Sequence, residues 1–146
     1  MEIFTSYFGR LAQLNQAGIM PIGIALWPPR WYHGLHYQVI APKRYMMKDD
    51  VTTEQYIRMY KRDVLGVLRP ENVIRDIERI SNGKDAALLC YEKPGEFCHR
   101  RLFAEWMLQR TGLEIPEWEP GIVVRPGPKI EPQPTFEEPG LFDGLI

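Results

Sequence analysis

The apolar positions of this chain fall into short blocks whose period switches between that of a strand and that of a helix. Residues 2–8, EIFTSYF, are rich in β-branched and aromatic side chains and predict a first strand. Gly9 closes it. Leu11, Leu14 and Ala17 then recur at helical spacing, ahead of a Gly18 suited to a helix C-terminus. Residues 21–26, PIGIAL, are apolar and too short for a typical helix, which predicts a second, buried strand. Further on, Thr52 or Thr53 is placed to cap a helix, and Gln55 completes a capping box with Thr52. Ile57, Tyr60, Val64 and Leu68 lie along one face of that helix. Pro70 and Glu71 suit the first turn of the next, with Val73, Ile74, Ile77 and Ile80 as its stripe and Asn82-Gly83 as its stop. Residues 86–90, AALLC, predict another buried strand. A last helix is expected from about Cys98 to Arg110, ending at Gly112, with Leu102, Phe103, Trp106 and the stem of Arg110 on its inner face.

Strands alternating with helices predict an α/β fold: a small, mostly parallel sheet of βαβ units flanked by helices. Two stretches follow neither period. Residues 27–50 begin WPPRWYHGLHY, and the diproline stops a central strand because neither proline has an N–H for the ladder. A long loop is expected there, with a short strand at 37–40. Its aromatic content argues for an ordered, functional loop rather than disorder. From residue 116 the composition changes, with seven of the thirteen prolines and four glycines in 116–146. This divides the chain into one α/β domain over 1–115 and an extended Pro-rich C-terminal tail. The tail's end, GLFDGLI, is apolar and is expected to dock on the chain's own body or on a partner protein.

Length and charge add little direction. A chain of 146 residues is long enough for one domain with a real core. Eighteen basic residues stand against nineteen acidic ones, so net charge draws the chain to neither nucleic acid nor membrane. Residues 1–70 are mildly basic, with nine Lys/Arg against five Asp/Glu. No apolar run approaches the roughly 20 residues of a membrane span, and MEIFTSYFGR does not read as a secretory signal. Two cysteines are too few for a disulfide framework, which favours a cytoplasmic setting. Oligomeric state is not legible.

The chemistry concentrates in residues 86–107, which hold both cysteines, Cys90 and Cys98, and one of three histidines, His99. Cys98, His99 and Arg100 open a helix, where unpaired N–H groups and the dipole favour negative charge. A thiol there deprotonates more readily, so Cys98 is a candidate nucleophile, and His99 and Glu92 are candidate acid–base groups. The same helix start, with Arg100, could instead hold an anion. For Cys90 the competing reading is a small core residue at a strand end, and for His99 a structural histidine. A zinc site lacks paired C-x-x-C spacing and would need His33 or His36 from far away, so neither metal nor cofactor is expected. A Cys90–Cys98 redox disulfide requires their Cα atoms to come within roughly 7 Å. In the aromatic loop, Trp27, Trp31 and Tyr32 are candidates to stack a base, with Arg30 as a second anion-binding residue. Roofing of the core is the competing role for these rings. Both sites follow predicted strands, so in an open α/β sheet they share one edge.

The run ALLCYEKPGEFCHRRLFAEW resembles the signature of domain-of-unknown-function family 488, a Leu-Leu-Cys-x-Glu turn followed by Cys-His-Arg. Cys90, Glu92, Cys98, His99 and Arg100 all match it, and IFTSYFGRL and the proline-containing loop IGIALWPPRW extend the likeness over roughly residues 1–113. Many members carry Asp-x-Arg before the proline, where this chain has Ala25-Leu26-Trp27-Pro28-Pro29-Arg30. The resemblance implies the α/β fold and the site, and it implies no reaction. Two functions are therefore carried forward. One is an enzyme acting on a nucleotide or nucleic acid through a Cys/Glu/Cys-His-Arg cleft. The other is a non-catalytic module that binds an anionic ligand or a partner. Thiol redox or metal binding stands third.

Overall fold

A computed structural model describes residues 1–91 and 98–121. Its centre is a four-stranded sheet, all parallel, in the order β1-β4-β2-β3. The strands are β1 (Ile3–Tyr7), β2 (Met20–Gly23), β3 (Leu35–His36) and β4 (Ala86–Cys90). The helices are α1 (Leu11–Gln16), α2 (Thr53–Asp63), α3 (Pro70–Ser81) and α4 (His99–Thr111). The expected α/β class is what the chain adopts.

β4 is central and buried at every residue, which is why AALLC lacks alternation. Its side chains still divide by face. Ala86 and Leu88 join a core with Ile3, Ile22, Tyr60, Val73, Ile77 and Phe103, under α2, α3 and α4. Ala87 and Leu89 join a second core with Phe4, Phe8, Leu14 and Tyr32, on the α1 side. This is the period of two that a strand imposes.

The helix ends follow their local chemistry. Thr52 accepts from the Gln55 N–H at 3.1 Å, and the Gln55 side chain accepts from the Thr52 N–H at 2.8 Å, completing the capping box. Asn82 ends α3 in the left-handed region, at φ 61°. α2 stops at Asp63, so Val64 reaches the core from the helix's C-cap and Leu65 from the 3₁₀ turn that follows (Leu65–Val67).

Three expectations need correction. The second strand ends at Gly23: Ile24 N–H still donates to the Leu89 carbonyl at 2.9 Å, and residues 25–26 then leave the sheet as the first part of the loop. The short strand in that loop is Leu35–His36, and Gln38–Ile40 is a 3₁₀ turn. The folded body also does not stop at 115. Thr5 N–H donates to the Pro116 carbonyl and Trp118 N–H to the Thr5 carbonyl, at 3.0 and 2.8 Å, making a parallel bridge along the outer edge of β1. An edge strand's polar backbone groups need partners, and the first tail residues supply them while burying Trp118. Residues 122–146, including GLFDGLI, lie outside the described residues.

Candidate functional site

A cleft of about 280 Å³ opens at the carboxyl ends of β2 and β4. α1 lies on one face of the sheet and α2 and α3 on the other, so the chain leaving these neighbouring strands diverges and a crevice forms between. Its floor is Cys90, Cys98 and His99. One wall is Ala25-Leu26-Trp27, just past β2. The other is Met46, Met47, Lys48, Thr52, Thr53 and Tyr56, where the loop enters α2.

On the floor, the Cα atoms of Cys90 and Cys98 stand 7.3 Å apart and the two sulfurs are joined as a disulfide. Of the alternatives left open for the cysteines, the one seen here is the bonded pair, so Cys98 is a candidate nucleophile only once that bond is reduced. The helical start does the positioning: Cys98 is the N-cap of α4, in extended conformation and without a side-chain capping bond, and His99 is its first helical residue. His99 Nε2 lies 3.0 Å from the carbonyl of Ile24, which can only accept, so Nε2 carries the proton. Nδ1 is left with its lone pair, 3.8 Å from Cys98 Sγ.

Burial is the main cause that pushes the His99 pKa from 6.5 down to about 4. The Arg100 charge acts in the same direction and the Ile24 hydrogen bond opposes it. In the unfolded chain this group titrates near its ordinary value, so between pH 6.5 and 4 the unfolded state binds more protons. The neutral His99 contribution is thus intact above pH 6.5 and is lost as pH falls toward 4, amounting to about 3 kcal/mol. Urea titrations of the oxidised, metal-free chain at pH 7.5 and 4.5 should show this loss, and His99→Gln should flatten it. An equal pH response in the two proteins would contradict it.

Arg100 does not face an external anion. Its side chain is 1% exposed. Nε and Nη2 donate to the two oxygens of Glu117 at 3.0 and 3.2 Å, and Nη1 donates to Cys90 Sγ at 3.2 Å. Thr5 Oγ1 donates to the same carboxylate at 2.8 Å. The anion-binding role expected of Arg100 is therefore taken internally, by a residue of the tail. Arg30, the other expected cation, is exposed and not among the cleft residues. Among the described residues, Lys48 is the cation that lines the cleft, and the Arg44 guanidinium sits 5.9 Å from the ring centroid of Trp27 at its rim.

The aromatic loop splits the three rings expected to stack. Trp27 is 51% exposed at the rim, and its carbonyl accepts from the Tyr91 hydroxyl. Trp31 is also exposed but lines a separate depression with Tyr32 and His33 on the α1 side. Tyr32 is 4% exposed, packed edge-on against Phe8 and His36, with its hydroxyl donating to Leu35 O at 2.6 Å. Tyr32 is therefore a core residue: the turn closed by Tyr32 N–H on the Pro29 carbonyl sends its ring down onto the sheet. His33 and His36 lie apart from the cysteines, and among the described residues the one group spaced for a metal is Cys90, Cys98 and His99. Glu92 lies outside the described residues.

The family model of DUF488-N3a, described as the active DUF488-N3 subclade, matches residues 12–111. The chain belongs to this family. No curated protein and no solved structure gives a match. The part shared with DUF488-N3a contains the whole cleft, from Ala25 to His99, and also Arg100. It stops short of Glu117 and begins after Thr5, so the carboxylate that pairs with Arg100 and the hydroxyl that donates to that carboxylate both lie outside the DUF488-N3a match. Glu117 is not legible in the sequence as a site residue because it sits in a Pro-rich stretch. Nor are Met46, Thr53 and Tyr56 legible as cleft residues, although Lys48 and the Thr52 cap already mark where α2 begins. No helix among the described residues is long and apolar enough to cross a membrane.

Proposed function

We propose that this chain is an enzyme acting on a nucleotide or nucleic acid, with Cys98 in its reduced form as the reacting thiol. The observation that carries the reading is the juxtaposition of two sulfurs and the His99 imidazole, all within 4.8 Å, on the floor of an open cleft. The Nδ1 lone pair faces Cys98 and can accept a hydrogen bond from its thiol, which orients the sulfur as a nucleophile at the start of α4. Cys90 supplies the second sulfur, polarised by Arg100. Glu92, on the segment between the cysteines, is assigned to acid–base work. Trp27 offers a face for a base, and Lys48 beside the start of α2 offers positive potential for a phosphate. The word "active" in the family description agrees with a retained reaction centre. The proposed setting is the cytoplasm, where disulfides of this kind are usually transient and catalytic.

The test is turnover on a panel of ribonucleotides and short single-stranded and duplex oligonucleotides, with reductant and a metal chelator present and products resolved by mass spectrometry. Conversion is expected, and Cys98→Ser should lower it by roughly three orders of magnitude. Conversion that survives Cys98→Ser, or none on any member of the panel, sinks the enzyme reading. A second reading is favoured by the bonded sulfurs themselves: closed as a disulfide, the pair offers no free thiol, and the cleft then serves as a non-catalytic binding module. In that case Trp27→Ala and Lys48→Ala weaken oligonucleotide binding while Cys98→Ser leaves it unchanged.

A further inference from the structure

We infer that the reduced chain holds a zinc ion on Cys90 Sγ, Cys98 Sγ and His99 Nδ1, with the fourth tetrahedral position open to the cleft. Around a tetrahedral zinc with ordinary Zn–S and Zn–N bonds, ligand atoms stand about 3.5–3.8 Å apart. Cys98 Sγ and His99 Nδ1 are already 3.8 Å apart. The backbones of the two cysteines are 7.3 Å apart at Cα, beyond the usual disulfide span of about 4.4–6.8 Å. Once the sulfur–sulfur bond is broken, the sulfurs can separate to ligand spacing with little movement of the main chain.

The surroundings are those of a metal centre too. A ligating histidine normally fixes its ring by donating its other N–H to a carbonyl or carboxylate, and His99 Nε2 does so to Ile24. A coordinated thiolate is normally hydrogen-bonded, and Arg100 Nη1 donates to Cys90 Sγ. Charge also closes. Two thiolates neutralise one Zn²⁺, and the neighbouring Arg100 is already balanced by Glu117, so no net charge is buried. Three protein ligands on a cleft floor leave the remaining position to water or substrate, the composition of an open zinc site. The C-x-x-C pairing sought in the sequence is unnecessary, because β4 and α4 bring the ligands together from opposite ends of the intervening segment.

The chemistry balances as two steps. A dithiol reductant supplies two electrons and two protons to the disulfide and is itself oxidised. Zinc then displaces both thiol protons. The ion occupies the sulfur and the lone pair that the thiol reaction would use, so metal binding and that reaction exclude each other on one chain. This inference does not depend on turnover.

The test uses the full chain, reduced and stripped of metal without air, titrated with cobalt(II) and then zinc. Intense near-ultraviolet sulfur-to-cobalt absorption should saturate at one equivalent and be abolished by zinc. The disulfide form of the same chain should show none, a comparison that involves no mutation. Cys90→Ser, Cys98→Ser and His99→Gln, each checked for folding by circular dichroism, should weaken zinc retention by roughly ten-fold or more. Absence of the band in the reduced chain, equal binding by the disulfide form, or unchanged affinity in His99→Gln would each overturn the site. Any of these would leave the thiol reaction standing, since that is assayed with a chelator present.

Discussion

Replacing Arg100 with alanine is expected to lower the stability of the oxidised chain by about 3–5 kcal/mol, the range for removing one partner of a buried ion pair. The guanidinium is almost wholly buried and serves three acceptor atoms: both oxygens of Glu117 and Cys90 Sγ. Without it the Glu117 carboxylate, 17% exposed, keeps only the Thr5 hydroxyl among these partners. A large cavity would open beneath β1 as well. Arg100→Lys should recover only part of the loss, because an ammonium is a point charge and cannot reproduce the planar fork. Pairing Arg100→Met with Glu117→Leu should cost less than Arg100→Ala alone, because no charge is then left unpaired. Urea unfolding of the four proteins checks this. A loss below about 1 kcal/mol in Arg100→Ala would show that the pair contributes specificity without net stability.

That ion pair also marks the limit of what is legible in the sequence. Local signals carried a long way. Thr52 and Gln55, Asn82 and Gly112 end their helices as their chemistry requires, and AALLC reads as a strand buried on both faces. The clustering of Cys90, Cys98 and His99 at a strand's end was legible because the rule for parallel sheets depends only on the order of elements. What failed was long-range. Arg100 and Glu117 are separated by seventeen residues and a change of composition, and nothing local announces the pair. Tyr32 looked like Trp27 and Trp31 because all three are aromatic residues beside prolines. Only the fold of the turn decides that Tyr32 goes into the core and Trp27 stays at the rim. Residues 46–56 line the far wall for the same reason: the segment leading into them is held by Gln38 on the Ala25 carbonyl and by Tyr60 on the Ile40 carbonyl, bonds between positions far apart in the chain.

That wall is pinned by Tyr60, and Tyr60→Ala is expected to cost about 3–5 kcal/mol, as aromatic truncations in cores do. The side chain is fully buried. Its ring lies 5.5 Å from the imidazole of His99, and it stacks at 6.2 Å on Tyr56, which lines the cleft. Its hydroxyl donates to the Ile40 carbonyl at 2.7 Å, tying α2 to the turn that follows β3. Burial pushes its pKa well up, so the hydroxyl stays protonated and remains a donor throughout the working range. Tyr60→Phe keeps the packing and removes only that bond, leaving a buried carbonyl without its partner, so about 1–2 kcal/mol is expected. The difference between the two variants separates what the ring contributes from what the hydroxyl contributes. Midpoints of urea unfolding at unchanged m-value measure both. The consequence for the site follows from position. With the ring gone, α2 loses its anchor above His99, and Tyr56, Thr53 and Lys48 lose their fixed distance from the sulfurs. Ligand binding in the cleft should therefore weaken more in Tyr60→Ala than in Tyr60→Phe, even at temperatures where both are fully folded. Equal binding by the two variants would show that the wall is held in place by other contacts.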